Sequence, residues 1–294
     1  MTKIQFFLTS HLQINCAMES SNKDLKVDLN AIIASKSERL AKYAPKFILS
    51  WLKKVIHQDE LNEILRYSNG AIDVEFADKT LAWLNAKSNV KFTNRESLDP
   101  QKRYIFVSNH PLGGLDGLIM ISVLGKLSGK IKFVVNDLLM NIVPMRNLFV
   151  PVNKHGRMGK EYGRMITDAY ASDAQILYFP AGLCSRLIKG EITDLQWQKN
   201  FLKQAKKYNR DIVPVHFSGR NSNFFYRLAK IRKALGIKFN FEMIFLPDEM
   251  FRQKNSIFDI TIGEPVPIET IDSSRTLDQW CLEIRKKCYE LKDK

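Results

Sequence analysis

A histidine and an aspartate stand close together on a glycine-rich stretch of the chain. His110 and Asp116 flank the run Pro-Leu-Gly-Gly-Leu, which follows a β-branched and aromatic segment at 103–107. Proline and paired glycines end regular structure, so the histidine is predicted on a turn after a strand, where α/β proteins place their sites. A histidine fixed by a carboxylate can take a proton from a hydroxyl or an amine near neutral pH. A turn histidine with a helix-capping aspartate is the structural alternative.

Short strands and helices alternate around this turn. Runs of β-branched and aromatic residues predict strands, and amphipathic runs predict helices. The predicted strands are 72–76, 103–107, 130–135, 148–152, 174–179, 211–217, 241–246 and 258–263, and the predicted helices are 115–127, 159–171, 195–208, 222–235 and 277–291. This alternation indicates an α/β fold with a mostly parallel sheet flanked by helices.

The chain before residue 70 has a helical pattern. Apolar residues recur at helical spacing over 25–68, Pro45 interrupts them, and residues 60–67 predict a further helix. We therefore expect an N-terminal lead and helical region at 1–69, containing a helical pair, followed by an α/β domain at 70–294 in one compact unit. Residues 1–17 carry no convincing signal peptide and are interpreted as an over-extended start or a disordered lead.

The chain is strongly basic. Its 294 residues include 45 Lys and Arg against 31 Asp and Glu, a net charge of +14. This charge predicts an anionic partner, such as nucleic acid, a phosphorylated cofactor or an acidic membrane surface. Lys46, Lys53 and Lys54 lie beside Trp51 on an amphipathic segment that would suit a bilayer surface, although packing on the protein's own core is the commoner role of such a segment. The basic residues are scattered and no nucleic-acid motif occurs, so nucleic acid is not expected as a partner.

Cysteine usage and hydropathy predict a cytoplasmic protein. Cys16, Cys184, Cys281 and Cys288 show no CxxC spacing, which predicts reduced thiols rather than disulfides or a metal site. No run reaches the roughly 20 apolar residues that a spanning helix needs.

Further polar residues follow predicted strands. Lys154 and Arg157 come after 148–152, and Gly182, Ser185 and Arg186 come after 174–179 on a turn suited to phosphate or carboxylate. The segment Ile-Val-Pro-Val at 212–215 predicts a buried strand whose proline marks an edge or a bulge.

In this order, the segments resemble the four sequence blocks of the glycerophospholipid acyltransferase family, the lysophosphatidate-acyltransferase-like enzymes. Residues 109–116 match the first block, 149–154 the second, Phe-Pro-Ala-Gly at 179–182 the third and Val-Pro at 213–214 the fourth. The phrase Asn-His-Pro-Leu-Gly-Gly-Leu-Asp-Gly is particularly similar to the branch that carries a hemolysin label and includes acyltransferases of bacterial aminolipid synthesis. The resemblance covers about residues 95–268. A pore-forming toxin is not favoured, because the chain has no secretion signal or barrel pattern.

The resemblance implies transfer of a fatty acyl group from acyl-CoA or acyl carrier protein to a lysolipid hydroxyl, on the inner face of the cell membrane. His110 would take the hydroxyl proton, and Asp116 would hold the imidazole. No cofactor beyond the thioester co-substrate is implied. The residues expected to bind the acceptor's anion are Lys154, Arg157, Gly182, Ser185 and Arg186, and those expected at the oxyanion or the turn are Asn109, Gly113 and Gly114.

Two departures from the family pattern bear on the acceptor. Five residues, instead of the usual four, separate the histidine from the aspartate. In the third block, Ala181, Leu183 and Cys184 replace the usual Glu, Thr and Arg. Because the phosphate-binding set is altered, we expect an acceptor with a carboxylate, such as an acylated amino acid, paired with Arg186. Phosphatidate synthesis from lysophosphatidate stays open, and a lipid hydrolase is the closest chemical rival.

Overall fold

The structure, a computed structural model of the chain, describes residues 25–36, 42–152 and 160–293. A seven-stranded sheet lies at its centre, in the order β1-β9-β8-β2-β5-β3-β4, and β6 and β7 form a separate antiparallel hairpin. All neighbouring strands of the large sheet run parallel except β8 and β9. The strands are β1 (Lys87–Phe92), β2 (Tyr104–Ser108), β3 (Ile131–Asn136), β4 (Phe149–Val152), β5 (Gln175–Tyr178), β6 (Arg186–Ile188), β7 (Glu191–Thr193), β8 (Asp211–Phe217) and β9 (Ile257–Ile262).

Helices cover both faces of the sheet and form the region before it. They are α1 (Leu29–Lys36), α2 (Lys46–Val55), α3 (Gln58–Ser68), α4 (Asp73–Leu84), α5 (Leu115–Ser128), α6 (Lys160–Ala171), α7 (Asn200–Tyr208), α8 (Asn223–Ala234), α9 (Leu246–Arg252) and α10 (Leu277–Glu290). The α/β architecture with a mostly parallel sheet is therefore confirmed. Within the described ranges, no helix is long and apolar enough to cross a bilayer.

Strand β2 is apolar throughout because helices cover both of its faces. Phe106 packs into a core built with α4 and α5, whereas Ile105 and Val107 point to a core built with α6, α7 and α10. A parallel strand with helices on both faces buries every side chain, so its sequence shows a continuous apolar run. The carboxyl end of β2 is consequently held rigidly from both sides, and the turn with the histidine begins there.

Two predicted strands are helical in the structure. Residues 72–76 lead into α4, whose buried Phe76, Ala77, Leu81 and Leu84 lie at helical spacing. Residues 241–246 form a 3₁₀ turn, Phe241–Phe245, followed by α9. Both errors arise because a short apolar run has no period that separates a strand from a buried helical turn.

One predicted helix begins later in the structure, and three strands were not predicted. The helix predicted at 195–208 begins at Asn200, and β1, β6 and β7 were not predicted. The N-terminal helices are confirmed, with Pro45 directly before α2. The apolar Leu49, Leu52 and Val55 of this helix are half-buried and none of its residues is fully buried, so it packs only partly on the rest of the protein. Residues 1–17 lie outside the described residues.

Candidate active site

The predicted turn brings His110 and Asp116 into direct contact. Nδ1 of the histidine lies 2.9 Å from Oδ2 of the aspartate, so the five intervening residues do not separate the pair. The same oxygen accepts backbone N–H bonds from Leu112 at 2.9 Å and Gly113 at 3.3 Å, and Oδ1 accepts one from Gly117 at 2.9 Å. The turn therefore folds around the buried carboxylate, which stands in the first turn of α5.

The charge of this carboxylate sets the tautomer of the histidine. Burial alone would raise the pKa of Asp116, but the neighbouring His110 and the donated N–H groups outweigh burial and lower that pKa. An ionised carboxylate only accepts hydrogen bonds, so the histidine Nδ1 must carry a proton. In the neutral imidazole the lone pair then lies on the other ring nitrogen, Nε2, which can act as a base.

The imidazole is held flat against an aromatic ring. Its plane lies 17° from that of Phe179, with 4.2 Å between the ring centroids, and the His110 side chain stays 15% exposed. Phe179 in turn packs edge-on against Phe133, at 5.5 Å between centroids. The stacking thus fixes the orientation of the ring, and a small part of the side chain stays exposed.

A second buried carboxylate, Asp194, holds the backbone of this turn. Its Oδ1 accepts the His110 backbone N–H at 3.2 Å and the Ser185 hydroxyl at 2.6 Å, and its Oδ2 accepts the Trp197 indole N–H at 2.8 Å. Burial raises the pKa of Asp194. Asp194 was not predicted as a site residue, because it lies far along the chain from the histidine and follows no predicted strand.

Asn109 ties together the ends of two neighbouring strands. Its side-chain amide donates to the Phe217 carbonyl at 2.8 Å and accepts the Phe217 N–H at 2.7 Å. Of its two predicted roles, this geometry favours the turn rather than the oxyanion. The loops after β2 and β8 consequently leave the sheet side by side.

The two glycines of the turn differ in environment. Gly113 has a φ of +83°, and a Cβ there would lie 3.0 Å from Leu246 and 3.1 Å from Cys184, so a side chain would be both strained and crowded. Its N–H already points to the aspartate. Gly114 precedes the first residue of α5 and has open space around it. The first N–H groups of a helix have no backbone partner within it, and here the Gly117 N–H is taken by Asp116 Oδ1.

The three predicted anion-binding residues that the structure describes, Gly182, Ser185 and Arg186, do not form one open site. Lys154 and Arg157 lie outside the described residues. Gly182 lies on a tight turn with a φ of +62°, and its N–H donates to the Phe179 carbonyl. Ser185 is buried, and its hydroxyl is engaged by the second carboxylate.

The environment of Arg186 does not fit its predicted role. It is buried, and its Nη2 lies 2.9 Å from Oε1 of Glu242, while its Nη1 donates to the Cys184 carbonyl at 2.6 Å. The fully buried glutamate also pairs with Arg232, at 2.8 Å between Nε and Oε2. The Arg186 guanidinium therefore has an internal carboxylate, so its predicted role of pairing with the acceptor's carboxylate is not supported.

The described cysteines are structural. Cys184, Cys281 and Cys288 are free and buried. Burial raises the pKa of Cys184 to about 11, so its thiol is protonated near neutral pH and is a poor nucleophile. In the part of the chain that the structure describes, no three His, Cys, Asp or Glu side chains gather as potential metal ligands.

Known proteins resemble this chain along most of its length. The model of the family described as Acyltransferase matches residues 31–294. Two curated relatives are named lyso-glycine lipid O-acyltransferase. The one from Bacteroides thetaiotaomicron is 46% identical over 266 residues, which cover 90% of this chain and 97% of that protein. The one from Phocaeicola vulgatus is 44% identical over 266 residues, covering 90% and 95%. A solved structure of the 1-acyl-sn-glycerophosphate acyltransferase PlsC from Thermotoga maritima is 18% identical, with a TM-score of 0.45 and coverage of 75% of this chain and 78% of that one.

Proposed function

The chain belongs to the acyltransferase family, and we propose that it transfers a fatty acyl group from a thioester to a hydroxyl of a lyso-glycine lipid. The names of the two relatives, each more than 40% identical over nine-tenths of this chain, support the acceptor. The observation that carries the chemistry is the 2.9 Å contact between His110 Nδ1 and Asp116 Oδ2 at the head of α5.

In the proposed reaction, Nε2 of His110 takes the proton of the acceptor hydroxyl as its oxygen attacks the thioester carbonyl. A C–O bond forms, the C–S bond then breaks, and the imidazolium returns the proton to the leaving thiolate. Asp116 stabilises the imidazolium while it exists. General-base help of this kind contributes ~10²- to 10⁴-fold to the rate.

The start of α5 is our candidate for the oxyanion site. Backbone N–H groups at a helix N-terminus carry partial positive charge, which favours the tetrahedral intermediate more than the planar thioester. Gly114 lies at this point, and the absence of a side chain leaves the approach open. We propose acyl-CoA or acyl carrier protein as the donor, with no cofactor beyond that co-substrate.

A membrane surface is the second part of the proposal. Helix α2 leaves Phe47 74% exposed and Trp51 50% exposed, beside Lys46, Lys53 and Lys54. Exposed aromatic residues beside lysines suit a bilayer interface with acidic lipids. We propose peripheral attachment of the enzyme through this helix to the inner face of the cell membrane, where a lysolipid acceptor would reside.

The experiment that tests this function is an acyl-transfer assay with purified protein. Acyl-CoA or acyl carrier protein loaded with a fatty acid is offered with lyso-glycine lipid, with lysophosphatidate, or with no acceptor, and lipids are identified by mass spectrometry. We expect the diacylated glycine lipid as the main product. A strong preference for lysophosphatidate would instead assign phosphatidate synthesis, and release of free fatty acid without an acceptor would assign a hydrolase.

A further inference from the structure

The Arg186 guanidinium is buried and paired with Glu242, so among the described residues a more exposed cation is a better candidate to receive an anionic acceptor. Arg220 lies on the loop after β8, three residues beyond the end of that strand. Strand β8 pairs in parallel with β2, from which the histidine turn leaves. Parallel strands deliver the residues after their carboxyl ends to the same edge of the sheet, so His110 and Arg220 follow neighbouring strands at one edge.

Direct contacts hold the two loops together. The Asn109 amide bonds the Phe217 backbone in both directions. Two residues further on, Gly219 has a φ of +144°, and a Cβ there would lie 3.3 Å from the Leu112 side chain. The chain therefore passes close to the catalytic turn immediately before Arg220, and the side chain of Arg220 itself is exposed.

The partners of Arg220 are neutral. Its Nη2 donates to the side-chain carbonyl of Asn223, and its guanidinium lies over the ring of Tyr226, 6.0 Å from the centroid. Among the described residues, no carboxylate lies within ion-pair distance of it. Glu249, the acid that packs on this loop, bonds the backbone N–H and hydroxyl of Ser222 instead. Arg220 is thus oriented by its neighbours while its charge stays available, in contrast to Arg186.

An aromatic surface begins beside Arg220 and leads toward α2. The half-exposed Phe224 packs against Phe245 at 5.1 Å between centroids, and Phe245 packs against the half-exposed Trp51 at 6.1 Å. A cation next to an exposed apolar surface suits a molecule with an anionic head and a hydrocarbon chain.

We propose that Arg220 binds the free carboxylate of the acceptor lipid and thereby selects a carboxylate-bearing acceptor. The inference rests on the proposed function, because it concerns the acceptor of that reaction. The guanidinium fork can pair with both carboxylate oxygens, which a lysine ammonium cannot do.

The test compares lyso-glycine lipid with its methyl ester, which lacks the anion, as acceptors for wild type and for R220A, R220K and R103A. Hydrogen bonds to charged groups correspond to about 10- to 100-fold in affinity. We expect R220A to lower kcat/KM for the free acid by that factor, mainly through KM, and to leave the ester within about twofold. R220K should lower kcat/KM for the acid by a smaller factor. Arg103 lies at the amino end of β2, and among the described residues its guanidinium donates to the backbone carbonyls of Ala171 and Tyr208. It is the matched control, and R103A should leave kcat/KM for both acceptors unchanged.

The outcomes separate the role of Arg220 from the proposed acyl transfer to lyso-glycine lipid. Equal losses of kcat/KM for acid and ester in R220A, or no loss for either, would overturn the role of Arg220 while the proposed function stands. If wild type does not acylate lyso-glycine lipid at all, the proposed function itself fails. If R220A does not fold, R220Q takes its place, because glutamine removes the charge and keeps a polar side chain, and a wild-type ratio of acid to ester rates in R220Q overturns the role of Arg220.

Discussion

Exchange of Asp116 for asparagine tests the central pair most sharply. At a separation of 2.9 Å, a full imidazolium charge and the carboxylate attract each other by about 6 kcal/mol at an effective dielectric constant of ~20. If about half of the imidazolium charge has developed in the transition state, D116N loses about 3 kcal/mol of transition-state stabilisation. About 1.4 kcal/mol corresponds to one power of ten, so we expect kcat of D116N to fall by ~10² for half of the charge and by up to ~10⁴ for the full charge.

The hydrogen-bonding pattern predicts that the turn survives this exchange. The amide oxygen can stay where it accepts from His110, Leu112 and Gly113, because its NH₂ group would face three donors if the amide were flipped. The NH₂ group then faces the Gly117 N–H, so that bond is lost and two donors meet, at a cost of about 1–3 kcal/mol in the free energy of unfolding. The protein should fold with a slightly lower Tm.

The assay measures kcat, KM and the pH dependence of acyl transfer, together with thermal unfolding. The acid limb of the pH–kcat/KM profile should move to lower pH in D116N, because the imidazolium has lost its anionic neighbour. H110A provides the reference for complete loss of the base, and we expect it to abolish transfer while the protein stays folded. D116N with kcat within tenfold of wild type and an unshifted acid limb would refute the assignment of this pair as base and orienting carboxylate.

Three further predictions concern residues around the pair and the lysines of helix α2. D194N should lower kcat about tenfold with little change in KM, because it weakens the hydrogen bond from the His110 backbone N–H without touching the acceptor. An equal change in KM would contradict a positioning role. C184A should retain near wild-type activity, since burial keeps the thiol protonated with a pKa of about 11, and a loss of over 100-fold in kcat at unchanged Tm would show that the sulfur takes part in the reaction. Replacement of Lys46, Lys53 and Lys54 by glutamine should reduce co-sedimentation with anionic vesicles by about fivefold for each lysine at low salt. At high salt the replacement should have little effect, because salt screens the attraction. The same exchange of the three exposed lysines of α7 is the control, and an equal reduction there would indicate a general effect of charge.

The parts of the site that could be predicted from sequence are local. His110 and Asp116 lie six positions apart, and the proline and glycines between them allow few paths for the chain, so their contact follows from the turn itself. The strand before the turn was predictable because it is apolar throughout and short. The two contacts that define the surroundings, Asp194 to the histidine backbone and Glu242 to Arg186, join residues 84 and 56 positions apart. Such contacts depend on the packing of whole elements, which the periodicity of one sequence does not encode.

The buried ion pair changes what the third sequence block implies about the acceptor. In related acyltransferases this block usually carries a Glu and an Arg where the present chain has Ala181 and Cys184. A carboxylate and a guanidinium nevertheless meet next to that block, since Arg186 pairs with Glu242 from the segment before α9. A buried pair of this kind is costly to break, because either partner alone would be an uncompensated buried charge. An incoming lipid anion therefore gains little by competing for Arg186, and exposed cations without an acidic partner, such as Arg220, are better placed to select the acceptor.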